Sequence, residues 1–541
     1  MIGNSLFEHI FIRTCIFLLQ YTTPLCLAAL LFNSFVLNHQ GNSALSSLSS
    51  TTNKILLSYS LLDIFYAIFI YTPYRRRLEQ EAKHPTPLSP AARRALFYRC
   101  LDHIPDPRRY LRLWFLGADE AEMRRENMRD FFLWAFFDSH SDRQLSDDET
   151  AELDGYIDVI EQRIGRKFEP GRGKANGLRL TLDAIEIRYR SVGWYAIMGL
   201  IDLFTHCLLA WHGFYYYAQP RSRFLSVLPL RVQDLLSRRR SAAERVSYWY
   251  RPHTATDKLP VVFLHGIGIG LSTYMPYLSE LNPEPSETEG QIGIIAIENL
   301  PISFRLTSAP LSKSEFLDQI TIILATHGWD KFVLASHSYG TFLATNMLQS
   351  STLGPRIESV VLIDPVSILL HLPDVAYNFT RRQPRQANEW QLWYFASMDP
   401  GVAHCLGRHF FWKDNIVWKE DLVQVVGKSS VDGGVGSGNR TGETQRRRKV
   451  AVCLAERDLI VDTVAVARYL AGGDDWMAVV DEDWQRGSPG SAEQDDVLGR
   501  GHLTRDGIEI LWFPGLDHAQ AFDSRRYRNR LSSITRRYCA R

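Results

Sequence analysis

Ser336-His337-Ser338-Tyr339-Gly340 sets a serine between small flanking residues, directly after the apolar run Phe332–Ala335. A serine hydroxyl is a weak nucleophile. To react it needs a strained turn that exposes its oxygen, a base to take its proton, and N–H donors for the oxyanion that forms. Such a turn, a nucleophile elbow, demands small residues two places either side of the serine. Gly340 meets that demand fully, and Ser336 is one of the few other residues small enough for the opposite flank. Ser338 is therefore a candidate nucleophile, with one departure from Gly-x-Ser-x-Gly at Ser336.

The other requirements have candidates at the ends of further apolar runs. Val261–Leu264 leads into His265-Gly266-Ile267-Gly268-Ile269-Gly270, a loop whose Ile267 or Gly268 can offer a backbone N–H. The N–H of Tyr339, directly after the serine, is the natural second donor. Val450–Leu454 leads into Glu456-Arg457-Asp458, and Ile508–Phe513 into Gly515-Leu516-Asp517-His518. These complete the chain order Ser, Asp, His, with Asp462 and Asp364 as alternative acids. The apolar runs are short and alternate with helical patterns such as Ser314–Thr326, which predicts a mostly parallel sheet.

With HGIGIG, SHSYG, ERD and GLDHAQAF in this order, the chain from Val246 onward resembles the α/β-hydrolase superfamily, and its membrane-anchored members with a long N-terminal extension in particular. The resemblance implies an α/β fold with a mostly parallel central sheet and a helical lid, here about residues 368–422. It implies Ser338 as nucleophile, His518 as general base and Asp458 as the acid that orients the imidazole. His265 is expected to brace its loop and His337 to be buried packing. The lid aromatics, among them Trp390, Trp393, Tyr394, Phe410, Phe411 and Trp412, are expected partly to line an acyl pocket. The implied reaction is hydrolysis of carboxylic esters, of lipids or other apolar acyl compounds, without metal or organic cofactor. A peptide or thioester hydrolase, or an inactive membrane-bound scaffold, are the alternatives.

The bulk numbers fit this reading. The 541 residues carry a formal net charge of +1, so nothing draws the chain as a whole to nucleic acid. Seven scattered cysteines without Cys-x-x-Cys spacing indicate neither a metal site nor a disulfide framework. Pro85, Pro87 and Pro90 separate an expected membrane anchor at 1–77 from a helical extension at 85–245. Gly/Ser-rich and acidic stretches at about 427–448 and 472–501 are expected to be flexible insertions.

Three apolar runs point to membrane lipids as partners. Thr14–Leu37 holds no charge and, at about 1.5 Å per helical residue, can cross a hydrocarbon core of about 30 Å. Ile55–Tyr74 holds one, Asp63, and is followed by Arg75-Arg76-Arg77. The third, Val192–Trp211, has basic flanks on both sides and is expected to lie in the membrane surface or pack within the molecule, with Asp202 and His206 as a polar pair. The arginines after the second run place the hydrolase part on the cytosolic side of a membrane, most simply an endomembrane. The acceptor tripeptides Asn378-Phe379-Thr380 and Asn439-Arg440-Thr441 test this orientation. Both are expected to stay bare in a eukaryotic cell, and a glycosidase-sensitive mass shift removed by Asn439→Gln would place the domain in the lumen.

Overall fold

The computed structural model describes residues 2–39, 50–139, 145–282, 290–424, 447–473, 476 and 501–541. The expected insertions at 427–448 and 472–501 lie almost wholly outside the described residues.

Nine strands form one sheet: β1 (Tyr215–Tyr217), β2 (Tyr248–Arg251), β3 (Val261–Leu264), β4 (Ile294–Ile297), β5 (Phe332–His337), β6 (Ile357–Ile363), β7 (Lys449–Ala455), β8 (His502–Leu503) and β9 (Ile508–Phe513). Their order is β1-β2-β4-β3-β5-β6-β7-β9-β8. The six strands β4, β3, β5, β6, β7 and β9 run parallel. β1 and β2 at one edge and β8 at the other are antiparallel. The sheet thus begins at Tyr215, earlier than the expected start at Val246.

The central strands are buried on both faces, which is why they read as unbroken apolar runs. Successive residues still point to opposite sides. Val262, Leu264, Leu334, Val360 and Val452 join a core shared with the extension and the lid. Val261, Phe263, Val333, Val361 and Ala451 join a second core under the C-terminal helix Arg525–Cys539. The Lys313–Thr326 helix begins at a capping box in which Ser312 accepts from the Glu315 N–H and the Glu315 side chain returns the bond.

The extension is helical at Pro90–Asp102, Pro107–Trp114, Arg125–Phe137 and Asp147–Ile164. Gly165, at φ +68°, ends the last of these, and 165–190 runs without helix or strand, through Pro170, Gly171, Gly173 and Gly177, to the Val192–Trp211 helix. The aromatics of Arg125–Phe137 belong to the same core as the sheet.

Leu6–Val36, Thr51–Leu78 and Val192–Trp211 are long and apolar enough to cross a membrane. The first two pack as an antiparallel hairpin, pairing Thr23 with Asp63 and Asn33 with Asn53. Leu6–His39 kinks at Tyr21 (φ −109°, ψ 16°), just before Pro24, whose ring removes the bond to Gln20. Asp63, the one charge in the second run, is buried between helices. It accepts from the Thr23 hydroxyl at 2.5 Å and from the Val192 N–H at 2.7 Å, the first turn of the third helix, where the helix dipole favours an anion.

These first two helices are not separate from the rest. Ile12 and Ile16 pack on Ala387 and Tyr394 of the lid, Tyr66 and Tyr71 belong to the main core, and Leu78 is buried. Ile12, Ile16 and Leu78 alone stand for about 1.5–3 kcal/mol each, against a total stability of roughly 5–15 kcal/mol. Deleting residues 1–78 is therefore expected to yield aggregated protein or a clearly lowered melting midpoint. Size-exclusion chromatography and thermal scanning check this. A monodisperse product melting like the full chain would contradict it.

Candidate active site

Four sheet-to-loop junctions meet around Ser338. The residue sits between β5 and the Gly340–Leu348 helix at φ +50°, a conformation that a non-glycine residue rarely adopts. Its own N–H donates to Ile363 O across the sheet (3.1 Å). The turn has no spare room. A Cβ on Gly340 would lie 2.2 Å from Leu264 O, and one on Gly266 would lie 2.8 Å from the Ser338 Cβ. At Ser336 the opposite flank is buried between β3 and β6 and does hold a side chain, whose hydroxyl has no hydrogen-bond partner among the described residues. The two flanks of the elbow are thus unequal, and only the Gly340 side excludes a Cβ.

His518 follows β9, and its Nε2 lies 2.9 Å from Ser338 Oγ. Its Nδ1 lies 2.7 Å from Asp458 Oδ2, after β7. Asp458 Oδ1 accepts the N–H groups of Ile460 (2.8 Å) and Val461 (3.0 Å), which hold the carboxylate in one orientation. Of the alternative acids, Asp462 caps the Thr463–Ala471 helix through the Ala465 N–H. Asp364, at φ +42°, accepts the Ala519 N–H at 2.7 Å and lies 3.5 Å from His337 Nε2.

Around the glycine loop, the Asn299 N–H donates to His265 Nε2 (3.0 Å), so His265 Nδ1 carries the proton and donates to Gly266 O (2.8 Å). His265 braces the loop. The Gly266 N–H donates to the Tyr274 hydroxyl (3.2 Å), which donates to His337 Nδ1 (2.8 Å). His337 is buried but is more than packing, because its remaining N–H faces Asp364. Among the candidate oxyanion donors, the Gly268 N–H is engaged by Ile302 O at 3.2 Å. No such bond engages the N–H groups of Ile267 and Tyr339 among the described residues.

Burial alone would lower the basicity of His518. The charge and hydrogen bond of Asp458 outweigh it, with Asp364 and Asp517 adding to the effect, and hold the imidazole up at about 9. Burial pushes His265 down to about 4 and also lowers His337, so both stay neutral. Burial raises the Asp517 carboxyl. Ligand atoms of Asp364, Asp458 and His518 lie within 4.8 Å of one another, a possible cation site by type. They are already engaged, His518 with Asp458 and Asp364 with the Ala519 N–H.

Ser338 opens on a pocket whose wall is almost wholly apolar. Ile267, Tyr339 and Phe342 line it near the serine, and Phe410, Phe411 and Trp412 line it from the lid. Phe379 lines it as well, while three further lid aromatics do different work. Trp390 lies under Arg13, Tyr394 under Arg190, and Trp418 under Arg99. The extension supplies more of the cavity wall through Trp114, Trp134, Leu180 and Thr181, with Trp134 fixed by its N–H to Thr181 Oγ1 (2.9 Å). The sequence shows no link between these residues and Ser338, since they lie far away in the chain and belong to no motif. Asp517 was missed too, although it directly precedes His518. It accepts the N–H groups of His518 (2.7 Å) and Leu459 (2.9 Å) and the side-chain amide of Asn388 (2.6 Å). Adjacency to the histidine was the available signal. Asp202 and His206 do not pair: Asp202 binds Arg231 and Arg305, and His206 packs on Tyr216 and Trp249.

Residues 260–408 match the family model described as the alpha/beta hydrolase fold. No curated protein matches the chain. Similar solved structures include a bacterial membrane phospholipase A, with 10% identity, 64% of this chain and 92% of that chain covered, and a TM-score of 0.35. The carboxylesterase CesB from Bacillus subtilis is 11% identical, with 63% and 98% covered and a TM-score of 0.32. The naproxen esterase from Bacillus subtilis is 11% identical, with 62% and 97% covered and a TM-score of 0.33. The family match falls on β3 to β6 and the first lid helices, the region that holds the serine turn and the glycine loop, and the chain has the α/β-hydrolase fold.

Proposed function

We propose that the protein is a membrane-associated serine hydrolase cleaving carboxylic esters with apolar acyl groups. One observation carries the reading: an unbroken hydrogen-bonded series, Asp458–His518–Ser338, ends on a serine at the mouth of an apolar cavity. In this mechanism the acyl group lies in the cavity and the ester carbonyl sits over Ser338. Neutral His518 takes the Ser338 proton through Nε2 as Oγ attacks the carbonyl carbon. Asp458 stabilises the imidazolium and fixes its tautomer. The Ile267 and Tyr339 N–H groups receive the oxyanion, while the Gly268 N–H is held by Ile302. Collapse of the tetrahedral adduct expels the alcohol, which takes the proton from His518 and leaves an acyl-enzyme on Ser338. Water, deprotonated by His518, then attacks that ester and frees the acid. No step calls for a metal or organic cofactor. We place the domain on the cytosolic side because Arg75, Arg76 and Arg77 close the second apolar helix.

Ser338→Ala and His518→Ala are each expected to lower turnover of a short-chain ester by roughly 10³-fold or more, about 4 kcal/mol of transition-state stabilisation. Ser338→Ala should also abolish labelling by a fluorophosphonate probe. Near-normal activity in that variant would falsify the nucleophile assignment. Trp134→Ala should shift the preferred acyl length toward longer chains, read as kcat/KM across a series of p-nitrophenyl esters.

The pH profile gives an independent test. The folded value of His518, about 9, exceeds the roughly 6.5 of a free histidine. Its ion pair with Asp458 therefore stabilises the fold fully below about 6.5 and loses that contribution as pH rises through about 9. Catalysis has the opposite demand, since the base must be neutral. In consequence kcat/KM should climb through neutrality and level off only near pH 9. Asp364→Asn removes one charge that raises His518, so the inflection should move down while most activity remains. Asp458→Asn should lose most activity at every pH. If Asp364→Asn proves the crippled variant instead, the acid has been misassigned.

A further inference from the structure

Among the described residues, exposed large apolar side chains are concentrated in the N-terminal helices and around the Val192–Trp211 helix, with Tyr98 and Leu116 as scattered exceptions between them. Beyond the first two helices they gather on the Val192–Trp211 helix and the segment that follows it. On the helix, Ile197, Leu200, Phe204 and Trp211 form an outward stripe, with Leu200 68% and Trp211 86% exposed. In the segment, Leu225 is 81% and Leu236 75% exposed, joined by Leu230, Val232 and Leu235. Among the described residues after Leu236, only Ile322, Val464 and Leu503 show large apolar side chains comparably exposed.

The polar groups of this region lie beneath. In the short helix Val232–Leu236 the buried residues are Gln233 and Asp234, while Val232, Leu235 and Leu236 face outward. Asp202 on the longer helix points inward, where it accepts from Arg231 (2.9 Å) and Arg305 (2.7 Å). Arg231 also donates to Glu298 (2.8 Å), and the Tyr216 hydroxyl donates to Asp234 (2.6 Å). Charges within and leucines without is the reverse of a water-facing surface. It is the arrangement expected where the outer solvent is hydrocarbon.

The Val192–Trp211 helix cannot cross a membrane while both of its ends stay on the domain. Just before it, the Arg188 N–H donates to Met398 O in the lid. Soon after it, Tyr215 enters the sheet as β1. Trp194, Tyr195, Met198 and Leu209 pack along the body between these points. The Val192 N–H bond to Asp63 holds the start of this helix against the second of the N-terminal helices, which also exposes apolar side chains. Exposed Arg221, Arg238 and Arg239 rim the patch. They suit anionic headgroups and would repel the same rim on a second copy of the chain.

We propose that the Val192–Leu236 face of the hydrolase domain sits in the hydrocarbon of one bilayer leaflet, in addition to the hairpin. The domain is then set into the membrane surface and not merely tethered to it. This inference stands apart from the ester-hydrolase reading, and its test needs no activity.

The full chain, in a Cys207→Ser background, is reconstituted into vesicles of phosphatidylcholine with a minority of phosphatidylserine. A spin label is placed in turn at Leu203→Cys, Leu236→Cys and, as the aqueous control, Leu503→Cys. The first two labels should collide mainly with lipid-dissolved oxygen, and the third mainly with a water-soluble nickel chelate. Equal nickel access at positions 236 and 503 overturns the proposal. So does dipolar broadening between labels at 236, which would mean that a second copy covers the face. The unmodified chain supplies a second measurement. A phospholipid carrying a diazirine in its acyl chain should mark peptides within 197–236 and leave Lys313–Thr326 unmarked. Absence of adducts in 197–236 also overturns it.

Discussion

At Ser338 the chain must leave β5, turn through φ +50° and enter a helix whose first residue lies against the carbonyl of Leu264. The neighbouring strands leave that turn little freedom. β3 presses Leu264 O toward Gly340, and β6 accepts the Ser338 N–H at Ile363 O. Strain at one residue persists only where its surroundings over-determine it. Here the surroundings are three parallel strands at the centre of the sheet, each buried on both faces. The elbow is rigid because the sheet is, and the sheet ends become the places from which the other groups approach.

Beneath the elbow runs a second ordered layer. The Gly266 N–H, Tyr274, His337, Asp364 and the Ala519 N–H form a buried series from the glycine loop to the histidine loop. Asp517 holds the backbone of His518 and Leu459 from the other side and is itself held by Asn388 of the lid. The three residues that touch one another at Ser338 are therefore held from behind by a second set of hydrogen-bonded groups. Asp364, read from sequence as a rival for the acid, belongs to this supporting layer.

What could be read from the sequence was local. The serine turn, the glycine loop, Asp458 and His518 each sit within a few residues of a strand end, and their chain order relates them. The parallel strands were legible because burial on both faces makes them continuous apolar runs. What was not legible depends on distance. Trp114 and Trp134 reach the cavity only because the extension shares the core of the sheet. The purpose of Asp63 appears only when Thr23 and Val192 converge on it. The 165–190 stretch was expected to be helical. Its glycines and proline leave it irregular, and it bonds to its neighbours singly, through Ala175, Leu178 and Arg188.

The small cluster joining the first helix to the lid has a consequence for biogenesis. Ile2 donates its N–H to Gln391, 389 positions along the chain, and Ile12 and Ile16 rest on Ala387 and Tyr394. A ribosome making the chain delivers Leu6–His39 long before its lid partner exists. During that interval Ile12 and Ile16 lack the partners on which they rest in the finished chain. Folding of the 387–394 segment is then the step that gives the first helix its partner, and a nascent chain stalled before Ala387 carries a helix with no such partner to receive it.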